Sequence, residues 1–548
     1  MAYPRLSCFA GQTIGQADAD PRQATAIEPP PMDDHHASVV RFLPALRWPP
    51  VFVGVYAAGA SLLGVLVLHF AAVLDFWLTS LRYPFGLDYG EGIVWQQALL
   101  IPSPLMYGDI ARFPYIVFHY PPVYHLAVRA IASLGVDWLV AGRALSVASA
   151  LLTGLLVAAL THRAVRRDSG PTASVVGAAI AGLITFSYVP VVICAPLMRV
   201  DMFAVALSFL GVFCAIQSLD RPRLLYGAVS LFVLAIYTKQ TEIAAPLATL
   251  PPLFLINPKQ TIKAAGVGAA LAVAALVLLE WQTDGGFLHH VLLYNINRYS
   301  LPLTILRTAQ QGMHGLYFLF AVAGVVSVCR VVTGSGVRVL REQRQLIPAI
   351  FALYFVLTTA MLVTVGKSGA TINYFIEWMC AWSVLIGVFI TPLLAGCTER
   401  PLPAVCVMAA LLLQVAVLPV RPAPARVTPP AVPELRALVD QVRTASGPVI
   451  SDDMILLMRA GRSVPWEPAI FAELAATGVW DQAPFMAMIK QHKFAFVITT
   501  GHPGEQLYDS RYTSEVSAAI NAAYPRTEQH GRTVVHLPPA APGPLLPR

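Results

Sequence analysis

Long apolar segments recur along most of this sequence, and they limit what the chain can fold into more than any other feature. Each has roughly 16–24 residues, close to the ~20 residues that an α-helix needs to cross ~30 Å of hydrocarbon. Charged residues make up only 12% of the chain, whereas a soluble domain carries about 25%. The sequence therefore predicts a polytopic α-helical membrane protein.

The basic residues indicate how the segments alternate across the membrane. They form short clusters between apolar segments, as Lys and Arg do in loops on the cytoplasmic side. They form no groove or arm, so the net charge of +7 predicts no nucleic-acid partner. Residues 121–135 form a short apolar stretch, and the basic clusters fall inside only if this stretch lies in the interface or re-enters instead of crossing. We interpret it as a juxtamembrane helix in the first outer loop.

The positive-inside rule then gives about eleven transmembrane helices and an outer C-terminus. We predict them at residues 51–74, 139–161, 173–192, 201–219, 223–238, 242–257, 262–281, 313–333, 346–365, 372–395 and 402–420.

Composition divides the chain into four parts. Residues 1–48 are polar and non-periodic, which predicts a disordered cytoplasmic tail. Residues 49–420 hold the predicted spans, and the five prolines of residues 421–433 predict a semi-rigid linker. Residues 434–548 have a soluble composition and predict a small α/β domain on the outer face. We expect its strands at residues 449–450, 494–499 and 533–537.

Ionisable side chains collect at the predicted outer ends of the spans, although charges otherwise avoid the hydrocarbon. They lie in four loops and include Asp88, Glu91, His119, Arg199, Asp201, Lys239 and Lys367. Carboxylates and cations that converge beside apolar spans suit an amphiphilic substrate with an anionic head group.

The motifs in these loops resemble those of a known group of membrane enzymes. Leu87-Asp-Tyr-Gly-Glu-Gly92 is similar to the acidic motif of C-type (GT-C) bacterial membrane glycosyltransferases, which include family 39, protein O-mannosyltransferase and aminoarabinose transferase-like enzymes. His119-Tyr-Pro-Pro122 and Arg199-Val-Asp201 resemble the next elements of that group. Thr238-Lys-Gln240 and Lys367-Ser-Gly-Ala-Thr-Ile-Asn-Tyr374 resemble later ones, in matching order over about residues 50–400.

This resemblance implies a sugar transfer from a polyprenyl-phosphate-linked donor to a hydroxyl of a lipid, glycan or protein acceptor. The reaction would take place on the outer face of the bacterial cytoplasmic membrane, among membrane lipids. Asp88 would be the catalytic base, and Glu91 would orient the acceptor or tune that base. The resemblance implies a substrate-binding set of His119, Tyr120, Arg199, Asp201, Lys239, Gln240, Lys367, Asn373 and Tyr374. It implies no cofactor, and a divalent metal stays open because family members differ.

Two departures from the family pattern affect these roles. The acidic residues are separated by Tyr89 and Gly90 rather than adjacent. Tyr120 replaces the lysine that often precedes the proline pair, so phosphate contact there would fall to a group such as His119.

Other interpretations of the same residues remain. The frame also suits a transporter or lipid flippase, although transporters place polar residues at mid-membrane within paired repeats. A scaffold without catalytic activity is a third alternative. Asp88 could be a solvated helix cap, and the lysines could extend to the interface from span ends.

Overall fold

A computed structural model of the chain describes residues 50–295, 297–398, 401–419 and 432–540. The predicted tail over residues 1–48 and most of the predicted linker over residues 421–433 lie outside these residues. Residues 432 and 433 already belong to a helix.

Sixteen α-helices precede residue 420 in the described part of the chain, and each predicted span overlaps one or two of them. Their bounds are α1 Pro50–Arg82, α2 Gly90–Leu100, α3 Val123–Ala132, α4 Trp138–Val165, α5 Pro171–Ile184, α6 Val189–Cys194, α7 Asp201–Gln217, α8 Leu224–Ile236, α9 Ala244–Ile256, α10 Pro258–Gln282, α11 Gly286–Val291, α12 Leu301–Gln310, α13 Gly315–Ser335, α14 Gln343–Met361, α15 Ile376–Ala395 and α16 Pro401–Val417.

Six helical stretches within the described residues are long and apolar enough to cross a membrane. They are Ala57–Arg82, Trp138–Val165, Pro258–Gln282, Leu301–Ser335, Gln343–Gly366 and Ile372–Ala395. The other predicted spans are apolar helices of 10–17 residues, so the number of spans stays a prediction. Helix α3, within the predicted juxtamembrane stretch, has only 10 residues.

Local sequence explains where several helices begin and break. Asp137 caps α4 by accepting hydrogen bonds from two backbone amides. Asn257 caps α10 by accepting one from the Gln260 amide, and Pro258 occupies the first turn of that helix. The predicted span over residues 173–192 is interrupted by a 3-10 turn at Thr185–Ser187. Helix α6 then restarts with Pro190 in its first turn, where proline is tolerated because the first helical amides lack partners.

The loops group at two ends of the helical bundle as the predicted alternation requires. At one end, Arg344 pairs with Asp168 at 2.7 Å, and Gln343 bonds both Arg163 and Asp220. These residues come from three loops or helix ends that we predicted to be cytoplasmic. The loops predicted to be external meet at the other end, around the cluster described below.

Residues 432–540 form a small domain with helices around a mixed sheet. The helices are α17 Val432–Thr444, α18 Met454–Arg459, α19 Pro468–Ala476, α20 Ala483–Lys490, α21 Gln506–Asp509 and α22 Ser514–Ala523. The strands are β1 Ile450–Ser451, β2 Val497–Thr500, β3 Arg526–His530 and β4 Thr533–Leu537, in the order β1-β2-β4-β3. Strand β1 pairs parallel to β2, and the other two pairs are antiparallel.

The prediction of a small α/β region is confirmed, but the sequence did not predict strand β3. All but the last of the residues of β3 are exposed, and none is apolar. An edge strand of this kind has no hydrophobic alternation to detect.

This domain packs on the helical part through a shared apolar core. Phe85 and Val94, beside and within α2, cluster with Leu438 of α17 and Ile455 of α18. The core of the helical bundle lies elsewhere, between α1, α4, α5, α7 and α15. The domain therefore stands over the loop that carries the acidic motif.

Candidate functional site

The acidic motif forms a tight loop between α1 and α2. The Oδ2 atom of Asp88 accepts a hydrogen bond from the Gly90 amide at 2.9 Å, which closes the loop. A Cβ at Gly90 would meet both Asp88 Oδ2 and Arg199 Nη1 at 3.1 Å. A Cβ at Gly92 would lie 2.6 Å from Met454 Cβ in α18. Gly90 therefore leaves room for the Asp88–Arg199 ion pair, and Gly92 leaves room for α18 of the C-terminal domain.

Asp88 is a carboxylate that is still open to solvent. Its side chain is 30% exposed, and its Oδ2 lies 2.7 Å from Arg199 Nη1. Burial alone would lower the pKa of Arg199, but the Asp88 carboxylate beside it raises that pKa above its usual value. The described contacts of the Asp88 side chain all fall on Oδ2, so Oδ1 can accept a proton from a bound hydroxyl.

Glu91, in contrast, is closed off from any ligand. It forms a two-point ion pair with Arg143 of α4 at 2.7 and 2.8 Å, and both side chains are 0% exposed. Its oxygens also accept hydrogen bonds from the amides of Leu87 and Met198. Of the two expectations for Glu91, that it orients the acceptor or tunes the base, this geometry disfavours the first: with both oxygens engaged, it positions the loop that carries Asp88.

Asp201, in the first turn of α7, links two cations and is 1% exposed. Its Oδ1 lies 2.9 Å from Lys239 Nζ and accepts a hydrogen bond from the Asn373 amide at 2.8 Å. Its Oδ2 lies 3.4 Å from Arg199 Nε. The structure thus joins four of the predicted residues in one chain of ion pairs that begins at Asp88. Asp201 therefore positions the two cations, and Asn373 holds the Asp201 carboxylate.

A cavity of about 350 Å³ lies at the end of this chain of ion pairs. Five of the predicted substrate-binding residues line it, namely Tyr120, Lys239, Gln240, Lys367 and Tyr374. The remaining lining is Thr241, Val291, Leu292, Asn295 and Asn297. Two lysines, two phenols and amides thus share a cavity with apolar side chains at its edge.

The two lysines of the cavity are held differently. Burial alone would lower the pKa of Lys239, but the Asp201 carboxylate outweighs burial and raises it. Tyr374 lies against the same ammonium group, with its ring centre 5.3 Å away. Burial lowers the pKa of Lys367, whose Nζ donates to the Asn295 carbonyl. No carboxylate pairs with Lys367 among the described side chains, so this lysine is the one available to an added anion.

The remaining predicted residues shape the cavity from its edge. Burial raises the pKa of Tyr120 to about 12. The Gln240 side-chain amide donates to the carbonyls of His119 and Val291. The His119 ring does not line the cavity, because its Nε2 bonds Glu467 of the C-terminal domain at 2.8 Å. The phosphate contact expected of His119 is therefore not supported.

The C-terminal domain contacts the same loops at a second point. Glu473 of α19 binds the Arg298 guanidinium through two hydrogen bonds and accepts a third from the Ser368 hydroxyl. Ser368 follows Lys367 directly, and Arg298 follows Asn297 in the wall of the cavity. The domain therefore fixes two loops that line the cavity.

Sequence analysis missed several of these residues. Arg143 is an arginine inside a predicted span, a signal that alone predicts a buried partner. Glu467, Glu473 and Asn295 had no local signal, because their partners lie far away in the chain. No group of three His, Cys, Asp or Glu side chains in the described residues is placed to hold a metal ion, so we derive no step through a metal.

Asp453, beside the acidic motif, gives a testable pH dependence. Burial, with Asp452 next to it, raises the pKa of Asp453 to about 7. An unfolded aspartate loses its proton near pH 4, so the folded state loses stability as the pH rises from about 4 to about 7. Asp453→Asn should therefore stabilise the protein by about 4 kcal/mol at pH 8, since each of about three pKa units is worth about 1.4 kcal/mol, and by less at pH 5. Thermal unfolding at the two pH values checks this, with exposed Asp440→Asn as the control; an equal effect at both would contradict it.

Long apolar helices, a polar loop after the first helix and a small C-terminal domain over that loop together define the fold of the chain, and solved structures share this fold. The crystal structure of ArnT from Cupriavidus metallidurans bound to undecaprenyl phosphate is similar, with a TM-score of 0.54 and 16% identity over 87% of this chain and 98% of that one. Its apo state gives 0.53 and 16% over 86% and 97%. The predicted GT-C fold is confirmed.

A more distant likeness is to the Archaeoglobus fulgidus oligosaccharyltransferase in complex with Zn and sulfate, with a TM-score of 0.45 and 11% identity over 84% of this chain and 71% of that one. No protein-family model matches the chain, and no curated protein matches it.

Proposed function

We propose that the protein is a membrane glycosyltransferase that moves a sugar from a polyprenyl-phosphate-linked donor to an acceptor hydroxyl. The site would face the outside of the bacterial cytoplasmic membrane, and the acceptor would belong to a lipid, glycan or protein of the cell envelope. The similarity of the fold to ArnT, a protein crystallised with undecaprenyl phosphate, supports a lipid-phosphate donor.

One observation carries this proposal: Lys367, a cation without a carboxylate partner among the described residues, shares a cavity with Lys239. Lys239 connects through Asp201 and Arg199 to the partly exposed carboxylate of Asp88. A site for sugar transfer from a lipid phosphate needs both a place for the phosphate and a base for the acceptor. The apolar edge of the cavity at Leu292, which is 51% exposed, suits the first isoprene units of a lipid tail.

The chemistry assigns a role to each group. The acceptor oxygen attacks the anomeric carbon while Asp88 accepts the hydroxyl proton. The bond between that carbon and the phosphate oxygen breaks, and the polyprenyl phosphate leaves with the electron pair. Lys239 and Lys367 stabilise the negative charge that develops on the leaving phosphate, an effect commonly worth about 3–4 kcal/mol per donor. Because the leaving group is already an anion, no general acid is required.

Mass spectrometry of lipid-linked sugars and envelope glycans, with and without the protein, tests this function. We expect one lipid-linked sugar to accumulate and one glycan modification to disappear when the protein is absent. If the protein were a transporter or flippase, detergent extracts of cells that lack it would still transfer the sugar when both substrates are supplied. If neither pool changes and the purified protein binds no polyprenyl phosphate, the proposal is wrong.

Lys367→Met should weaken the binding of undecaprenyl phosphate by about 10–100-fold, since a hydrogen bond to a charged group contributes about 1.5–3 kcal/mol. Titration of the lipid into purified protein in nanodiscs measures this affinity. Lys259→Met is the matched control, because Lys259 is exposed at the opposite predicted face. An equal loss in both variants would show a general charge effect rather than a site.

A further inference from the structure

The side chain of Tyr89, which lies between Asp88 and Gly90 in the acidic motif, contacts the C-terminal domain. The Cζ atom of Arg511 lies over its ring, 4.4 Å from the ring centre. The Tyr89 hydroxyl oxygen accepts a hydrogen bond at 3.1 Å from the backbone amide of Ala469, in the first turn of α19. The domain therefore holds this side chain at two points, one on the face of the ring and one at the hydroxyl.

Arg511 is itself fixed in place by a buried carboxylate. Its Nη1 donates to Asp452 Oδ2 at 2.8 Å, and the side chains of Arg511 and Asp452 are 13% and 0% exposed. Asp452 follows strand β1 and also accepts hydrogen bonds from the amide and the hydroxyl of Thr500, at the end of β2. A cation that is shielded from water attracts an aromatic face more strongly than an exposed one. The group over Tyr89 is thus anchored to the sheet of the domain.

Other contacts already attach the domain to the helical bundle. Arg459 of α18 donates to the Pro84 carbonyl at 2.7 Å and pairs with Asp137 at the start of α4. The shared apolar core adds to these contacts, and Tyr89, only partly buried, packs at the edge of that core. The domain should therefore stay docked without the Tyr89 side chain.

The position of Tyr89 limits where the Asp88 carboxylate can lie. The two residues are adjacent, and the amide that donates to Asp88 Oδ2 belongs to Gly90, on the other side of Tyr89. Gly90 has no Cβ, which admits the Asp88–Arg199 ion pair but gives the loop little stiffness of its own. A side chain anchored in a folded domain supplies that stiffness, because it fixes the Cα atom between the carboxylate and its amide donor.

The start of α19 contacts both halves of the proposed site. The Ala469 amide bonds Tyr89 beside the base, and Glu467, two residues earlier, bonds the His119 ring at 2.8 Å. The His119 carbonyl accepts a hydrogen bond from Gln240, which lines the cavity. One short segment of the domain thus contacts both the loop of the base and the edge of the cavity.

We propose that Tyr89 is a positioning residue through which the C-terminal domain, by Arg511 and the Ala469 amide, sets the position of Asp88 as the catalytic base. This inference rests on the proposed function, because it takes Asp88 as the group that accepts the acceptor proton. A general base must lie within hydrogen-bond reach of the hydroxyl that it deprotonates. Loss of the anchor should therefore lower the rate of transfer and leave the cavity unchanged.

Tyr89→Leu removes both contacts with the domain and should lower kcat for sugar transfer by about 10–100-fold, since a misplacement of about 1 Å can cost about 10²-fold. The affinity for undecaprenyl phosphate should stay that of the wild type, because Tyr89 does not line the cavity. Tyr89→Phe keeps the ring on Arg511 and should retain most of the activity. Arg511→Lys keeps a cation beside Asp452 but loses the planar group over Tyr89, so it should also lower kcat.

Trp95→Leu is the matched control. Trp95 lies under Arg459, another arginine of the domain, at 5.1 Å, but within α2 rather than in the acidic motif. Its loss should lower the thermal unfolding midpoint and keep the wild-type kcat at temperatures well below that midpoint. If Tyr89 had only a structural role, Tyr89→Leu would behave in the same way. Equal kcat values for Tyr89→Leu and Trp95→Leu would therefore overturn the inference, and Arg511→Lys with the wild-type kcat would overturn it if Tyr89→Leu fails to fold.

Amide hydrogen exchange tests the inference without an activity assay. The peptide over residues 86–92 should exchange faster in Tyr89→Leu than in the wild type, because the loop opens more often without its anchor. Strand β2 should exchange at the wild-type rate, which shows that the domain stays folded. Unchanged exchange over residues 86–92 overturns the inference and leaves the proposed function intact. A wild-type protein that binds no polyprenyl phosphate and transfers no sugar contradicts the proposed function, whatever the exchange shows.

Discussion

Asp88→Asn should lower the rate of sugar transfer by about 10²–10⁴-fold, the contribution that a positioned general base typically makes. The asparagine oxygen can still accept hydrogen bonds from Arg199 and the Gly90 amide, so the loop should keep its shape. The change removes the group that takes the acceptor proton and leaves the lysines of the cavity in place. Binding of undecaprenyl phosphate should therefore remain.

The rate of sugar transfer is measured as product formed over time. The substrate is the lipid-linked sugar that accumulates in cells without the protein. Asp109→Asn is a matched control, since Asp109 lies in the same predicted outer loop but forms an exposed pair with Arg112. It should keep the wild-type rate. If Asp88→Asn keeps that rate too, Asp88 is not the base. If the cell needs the protein but not Asp88, the scaffold interpretation is favoured.

Arg143→Met should destabilise the folded protein by about 3–5 kcal/mol, because it leaves the fully buried Glu91 carboxylate without its counterion. Arg143 also donates to the carbonyls of Ser80, Tyr83 and Phe85, which end α1 and shape the approach to the motif. The variant should therefore lose both the helix end and the position of Asp88. We expect little folded protein and no transfer activity.

The thermal unfolding midpoint in detergent, monitored by size-exclusion chromatography, measures this loss of stability. Arg344→Met is the matched control, because Arg344 also forms ion pairs, with Asp168 and Glu342, but at the exposed end of the bundle. Its loss should cost about 0.2–1 kcal/mol. Glu91→Gln together with Arg143→Gln should recover part of the stability, since no buried charge remains. An effect of Arg143→Met as small as that of Arg344→Met would contradict the buried ion pair.

The sequence predicted the helices well because their signal is local. An apolar run of sufficient length marks a helix whatever it packs against, and the charge clusters between runs group the loops. The break at Thr185–Ser187 escaped because the residues around it are still apolar. Helices α11 and α12, in what sequence analysis left as a loop, escaped because they are short.

The polar site was predictable as a set of residues, but the roles within it were not. Motif order indicated Asp88, Arg199, Lys239 and Lys367, and the structure brings their loops together. The roles of Glu91 and His119 depended on partners that no local pattern reveals: Arg143 lies 52 residues from Glu91, and Glu467 lies 348 residues from His119. Sequence alone does not distinguish a buried carboxylate whose oxygens are all engaged from one that is accessible to a ligand.

The most direct test of the central claim is an experimental structure of the protein with undecaprenyl phosphate in nanodiscs. We expect the phosphate within hydrogen-bond distance of Lys239 and Lys367, and the lipid tail leaving the cavity past Leu292. A phosphate bound elsewhere, with the two lysines still joined only to Asp201 and the Asn295 carbonyl, would contradict it.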